Sequence, residues 1–105
     1  MNETHANARE QLFAAVRSLA ASAESIQTRL IEATESILLV TIDEFDGDAE
    51  LKIKFARILD MLAVDQDDME KTAIETASFL TDFEAVKIAD LICDLLLELD
   101  PRSIN

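Results

Sequence analysis

Residues 12–40, LFAAVRSLAASAESIQTRLIEATESILLV, carry apolar side chains that are alternately four and three residues apart. This spacing places them on one face of an α-helix and gives it a continuous heptad seam. No glycine or proline precedes position 47 to break it. The sequence therefore predicts one long N-terminal helix, from about Asn7 to about Thr41. Its seam comprises Leu12, Val16, Leu19, Ala23, Ile26, Leu30, Ala33, Ile37 and Val40.

Small residues crowd between positions 18 and 25, where the helix could instead break in two. We favour one helix because the heptad continues through them. The positions beside the seam lack the opposed charges of a two-stranded coiled coil, which favours packing in a globular bundle. Short helices cover a long one poorly, so we also expect a homodimer.

Three shorter helices are predicted after the turn at Asp46-Gly47-Asp48, in which glycine suits a left-handed helix end and Asp48 an N-cap. The first spans about Asp48 to Ala63. The second spans about Asp68 to Phe79, with a cap near Asp67. The third follows a capping box and spans about Asp82 to Leu99. The residues expected to face inward are, in the first of these helices, Leu51, Phe55, Ile58 and Leu62; in the second, Met69, Ala73, Ala77 and Leu80; and in the third, Ile88, Leu91, Ile92, Leu95, Leu96 and Leu99. The capping box is Thr81 with Glu84.

The same Asp46-Gly47 pair is also a strong β-hairpin signal, which leaves an α+β fold as the alternative. A two-residue loop would give the hairpin one coherent apolar face. The helical pattern continues on both sides of the turn, however, and two strands alone are marginally stable in water. We therefore predict an all-α helical bundle.

Length and composition indicate one helical domain over residues 1–105, with loose termini at 1–6 and 100–105 and His5 solvated in the first of them. Half of the residues are hydrophobic, which argues against disorder. A single cysteine, Cys93, fits a reducing compartment. No signal peptide or membrane span is recognisable, so a cytoplasmic protein is expected.

The charge balance is strongly acidic: 22 acidic against nine basic residues, a formal net charge of −13. Such a charge repels nucleic acids and anionic membranes. The expected partner is therefore a basic protein surface, such as that of a nucleic-acid-binding protein. The competing interpretation is that acidity only maintains solubility.

Two groups of acids are the candidate binding residues. Asp90, Asp94 and Glu98 recur every fourth residue and form an acidic ladder along one helix. The second group crowds around the predicted turn. It fails as a calcium loop because isoleucines would occupy the first and last ligand positions. The turn group comprises Asp43, Glu44, Asp46 and Asp48.

An enzymatic alternative starts from Glu32 and Glu35, which could hold Mg²⁺ on the long helix. The pair resembles half of the metal site of all-helical nucleotide pyrophosphohydrolases. Such an enzyme needs a second acidic pair, for which Asp65 and Asp68 are the nearest candidates, and basic residues to receive phosphates. Nothing else suggests catalysis, since His5 is terminal and Cys93 has no neighbouring base.

The sequence thus predicts a non-catalytic acidic protein, without a cofactor, that binds a basic protein partner. A regulatory or inhibitory role is expected, as in nucleic-acid-mimicking inhibitors or immunity proteins. A scaffolding helical homo-oligomer is the first alternative. A magnesium-dependent nucleotide hydrolase is the second.

Overall fold

The fold is all-α, as predicted. The computed structural model describes residues 5–62 and 68–99. Over these residues the chain forms five α-helices and one short 3-10 helix, with no β-strand. The α-helices are α1 (Ala6–Ala21), α2 (Ile26–Ile37), α3 (Ala49–Met61), α4 (Met69–Phe79) and α5 (Asp82–Leu99), and the 3-10 helix is Ile42–Phe45.

The prediction of one long N-terminal helix is wrong, because the chain leaves the helical conformation between α1 and α2. Ser22 is extended, and its hydroxyl accepts a hydrogen bond from the Glu24 amide at 3.1 Å. Ser25 is the N-cap of α2, and its hydroxyl accepts from the Thr28 amide at 3.2 Å. Serine hydroxyls bind backbone groups that a continuous helix would pair internally, which favours a break here.

Helices α1 and α2 pack against each other as an antiparallel hairpin. Asn7, at the start of α1, donates from its side-chain amide to the carbonyl of Leu39, beyond the end of α2, at 3.2 Å. At the other end, the Arg29 guanidinium donates to the carbonyl of Leu19 at 2.8 Å. The seam is thus divided between two helices, and most of it is buried. Its buried members are Leu12, Leu19, Leu30, Ala33, Ile37 and Val40, whereas Ala23 is exposed in the connection.

The β-hairpin alternative around Gly47 is also wrong. Gly47 has a φ of +90°, which glycine adopts without steric cost, and it connects the 3-10 helix to α3. The Asp48 carboxylate caps α3 by accepting from the Leu51 amide at 3.4 Å. The predicted glycine turn and N-cap are both confirmed, and they separate helices rather than strands.

The last two helices begin at side-chain caps. The capping box before α5 is confirmed: Glu84 accepts from the Thr81 amide at 2.9 Å, and the Thr81 hydroxyl accepts from the Glu84 amide at 3.1 Å. The hydrogen bond from the Thr81 amide lowers the pKa of the Glu84 carboxyl, and an interaction with the Thr81 side chain lowers it further. Asp68 is the N-cap of α4, whereas Asp67, where we expected it, lies outside the described residues.

Helix α5 is at the centre of the packing, since it contacts α1, α2 and α3, and α4 packs on α2. The two largest fully buried side chains are Phe45 and Phe55, whose ring centroids are 5.2 Å apart. The expected inward residues of α3 are buried, as are Ala73 and Ala77 of α4. None of the described helices combines the length and apolar character of a membrane span.

The N-terminal end differs from the loose, solvated segment that we expected. Ala6 already belongs to α1, and the His5 side chain is only 11% exposed. Its ring packs against Phe45, with centroids 5.3 Å apart, and its Nδ1 donates to the Glu44 carbonyl at 2.7 Å. An aromatic contact and a long-range hydrogen bond therefore hold His5 in place. Residues 1–4 and 100–105, the rest of the predicted loose termini, lie outside the described residues.

Candidate functional site

The acids of the turn group lie close together, and two of them have mainly structural contacts. The Glu44 carboxylate accepts from the Thr41 amide at 2.8 Å and from the Asn7 side-chain amide at 3.1 Å. Asp46 accepts from the Lys52 ammonium at 2.5 Å. This hydrogen bond and the charge of Asp46 raise the pKa of Lys52. Glu44 thus joins α1 to the 3-10 helix, and Asp46 joins the turn to α3.

The other two acids of this group differ from each other. Asp48 caps α3, and its carboxylate also lies 3.9 Å from Nε2 of His5. Asp43 is exposed and has no side-chain hydrogen bond among the described residues. Three of the four predicted binding acids therefore have contacts within the protein that account for their position, whereas Asp43 is exposed and acts on Lys52 through its charge alone.

The acidic ladder on α5 is divided in a similar way. Glu98 forms an ion pair with Lys54 of α3, and this contact raises the pKa of Lys54. Asp90 and Asp94 are exposed and form no ion pair within residues 5–62 and 68–99. The ladder thus has one member paired within the fold and two exposed members, of which Asp94 also acts on Lys54 through its charge.

A shallow groove of about 260 Å³ lies between α3 and α5, beside the ladder. Its walls contain basic, acidic and apolar side chains, so it is not a uniformly acidic surface. Arg57 is exposed and lines this groove together with Asp94. The lining residues are Glu50, Ile53, Lys54, Arg57, Leu91 and Asp94.

The outward face of α5 carries large apolar side chains that sequence reasoning missed. Phe83, Val86 and Leu97 are 76%, 54% and 58% exposed. Together with Asp90 and Cys93 they are spaced three, four, three and four residues apart, a second heptad pattern opposite the buried face of this helix. We name these five residues the α5 stripe. The pattern could have been found in the sequence, because it follows the same rule as the seam of residues 12–40.

No protein family, curated protein or solved structure matches this chain.

Hydrogen bonds hold the corner between α4 and α5, where two phenylalanines face solvent. Gln27 of α2 donates to the Leu80 carbonyl at 2.9 Å and to the Asp82 carboxylate at 2.8 Å, across the α4–α5 corner. Phe79, at the end of α4, is 88% exposed. The Lys87 ammonium lies 5.8 Å from the centroid of the Phe83 ring. Aromatic side chains, phenylalanine among them, are enriched in the cores of protein interfaces.

Cys93 lies within the α5 stripe and is half-buried. Burial raises the pKa of its thiol, and the charges of Asp90 and Asp94 raise it further. The neutral thiol therefore predominates at neutral pH, and Cys93 behaves as a small apolar member of the stripe rather than as a nucleophile.

The magnesium alternative receives no further ligands from the described residues. Glu32 and Glu35 are both exposed on α2. The part of the chain that the structure describes contains no group of three His, Cys, Asp or Glu side chains positioned to hold a metal ion. Asp65 lies outside that part, and Asp68 caps α4 by accepting from the Lys71 amide at 3.4 Å.

Proposed function

We propose that this protein is a non-catalytic regulatory or inhibitory protein that binds a basic protein partner through the outward face of α5. The observation that supports it is the presence, on that one face, of exposed apolar side chains and of two acids without ion pairs. Apolar side chains supply much of the affinity of a protein interface, and charges steer the partner and select it.

The proposed site is narrower than the set of acids predicted from the sequence. It contains Asp90 and Asp94 from the ladder, and Phe83, Val86 and Leu97 from the stripe. Glu98 is paired with Lys54, and most of the turn group has structural contacts, so we leave these acids out. Homodimer formation, the scaffold alternative and a cytoplasmic location stay predictions.

The test is a capture experiment with a matched charge control. Immobilised wild-type protein is incubated with lysate of the source cell and washed at about 50 mM and about 500 mM salt, since salt screens exposed charges. The first variant, called the α5 variant, carries Asp90→Asn with Asp94→Asn. The control carries Glu32→Gln with Glu35→Gln, which removes the same charge from α2. Circular dichroism verifies that both variants are folded.

We expect the wild type and the control to capture a basic protein at low salt and to release it at high salt. The α5 variant should not capture this protein at either salt concentration. A protein that the α5 variant retains as well as the wild type does would contradict the proposed site. Capture that weakens equally in both variants would show only a general effect of net charge.

A further inference from the structure

The geometry of the α5 stripe points to the shape of its partner. From Phe83 to Leu97 the stripe follows the heptad spacing along one uninterrupted helix for about 21 Å, at 1.5 Å per residue. Side chains at this spacing interlock lengthwise with those of a second helix. An extended peptide would instead need a free strand edge or pockets at a two-residue spacing. The stripe therefore fits an amphipathic helix best.

The charge and position of Asp90 determine whether that second helix can belong to another copy of this chain. It occupies the centre of the stripe, equally far in sequence from Phe83 and Leu97. In a parallel pair of α5 helices, every residue faces its own counterpart. In an antiparallel pair that joins Phe83 of one copy to Leu97 of the other, the central residues face each other too. Both symmetric pairings place two Asp90 carboxylates together.

Two like charges in a partly dehydrated interface strongly disfavour it. The net charge of −13 on each copy adds a long-range repulsion. A basic side chain opposite Asp90 has the reverse effect, because it compensates the charge that the interface removes from water. Asp94, exposed one turn along the helix, adds to the same attraction. Charge complementarity thus selects a basic partner over a second copy.

We infer that α5 pairs lengthwise with an amphipathic α-helix of its partner, whose apolar stripe covers Phe83, Val86 and Leu97 and whose central Lys or Arg faces Asp90. This inference rests on the proposed function and specifies the partner's structure. A buried polar position in a heptad is a known determinant of which helices pair. Asp90 has that role here: it admits a basic helix and rejects an identical one.

The test uses two synthetic 21-residue helical peptides that differ at one position. Both have leucine at the heptad positions and a fluorescent label. The central position is Lys in one peptide and Glu in the other. Fluorescence anisotropy at about 150 mM salt, where long-range charge effects are screened, measures the affinity of each peptide for the full chain. The protein is used as wild type, as Asp90→Lys and as Glu32→Lys, and the two variants undergo the same change in net charge.

We expect the wild type to bind the Lys peptide at least about tenfold more tightly than the Glu peptide, in line with measured coupling between close charge pairs. Asp90→Lys should reverse this preference. Glu32→Lys should keep it. Asp90→Asn, which keeps the size of the side chain and removes its charge, should reduce the preference to about twofold, and it serves as the second variant if Asp90→Lys does not fold.

Three results would overturn the inference: binding of neither peptide by the wild type, an unchanged preference in the Asp90 variants, or an equal shift in Glu32→Lys. These results are distinguishable from failure of the proposed function. If the α5 variant still loses the captured basic protein while the peptide preference fails, the partner binds this face without a paired helix.

Discussion

Replacing Phe55 by alanine tests the packing at the centre of the fold. Phe55 extends from α3 into the core, where it is fully buried. Its ring lies 5.2 Å from that of Phe45, which in turn contacts His5 at 5.3 Å between centroids. Phe55→Ala therefore removes the middle of a packed region that connects α3 to the 3-10 helix and to the start of α1.

The expected loss follows from this burial. Truncation of a fully buried phenylalanine to alanine lowers the free energy of unfolding by about 3–5 kcal/mol, through lost apolar burial and the cavity that remains. A domain of this length has a total stability of about 5–15 kcal/mol. The variant should thus lose a large part of its stability and remain partly or wholly folded. Phe55→Leu, which keeps more of the buried volume, should lose less.

Urea unfolding followed by circular dichroism at 222 nm measures the effect, because the chain has no Trp or Tyr for a fluorescence assay. Ile53→Ala on the same helix is the control, since Ile53 is 66% exposed. It should change the stability by no more than about 0.5 kcal/mol. A loss below about 1 kcal/mol in Phe55→Ala, with an unchanged denaturant slope, would refute the described packing of Phe55.

Three further measurements test the helix break and the α5 stripe. Ser25→Ala should lower the free energy of unfolding by about 1 kcal/mol, because it removes the N-cap of α2, and Ser25→Asp should keep it close to that of the wild type. An unchanged urea midpoint in Ser25→Ala would contradict the cap. Burial raises the pKa of Cys93 most, and the charges of Asp90 and Asp94 raise it further, so the variant Asp90→Asn with Asp94→Asn should lower that pKa, give more thiolate at pH 8 and react faster with iodoacetamide; a reaction no faster than that of the wild type would contradict the electrostatic cause. Asp90→Leu makes the stripe continuously apolar and should self-associate, which light scattering would show as a molar mass above that of the wild type at the same concentration; an unchanged mass would show that Asp90 does not prevent self-pairing.

Much of the fold could be predicted because its signals are local. The helices after Gly47 follow from apolar periodicity and from caps within three residues of one another, such as Thr81 with Glu84. The long N-terminal helix could not be distinguished from two, because both place the seam residues inward. A single helix would leave much of that seam uncovered by its shorter neighbours. Folding back at Ser22–Ser25 lets the two halves cover each other.

The candidate site was harder to predict because side-chain contacts join residues distant in sequence. The density of acids near the turn is visible in the sequence, but the contact of Glu44 with Asn7 is not. Without that contact a structural acid and a binding acid look alike. The α5 stripe was missed for a different reason. The inner face of α5 has the stronger apolar pattern and already explains the helix, so the sequence gives no reason to look for a second apolar face.

The contact between α1 and α5 has a consequence for synthesis on the ribosome. Helix α2 follows α1 almost at once, so the two can pair early. Helix α5 begins roughly 60 residues after α1 ends, which corresponds to about 3–12 seconds of translation. During this interval the nascent hairpin exposes the surface that α5 will later cover. The described core is therefore completed only once α5 has been synthesised, and the α5 stripe is presented to a partner by the helix that completes this core.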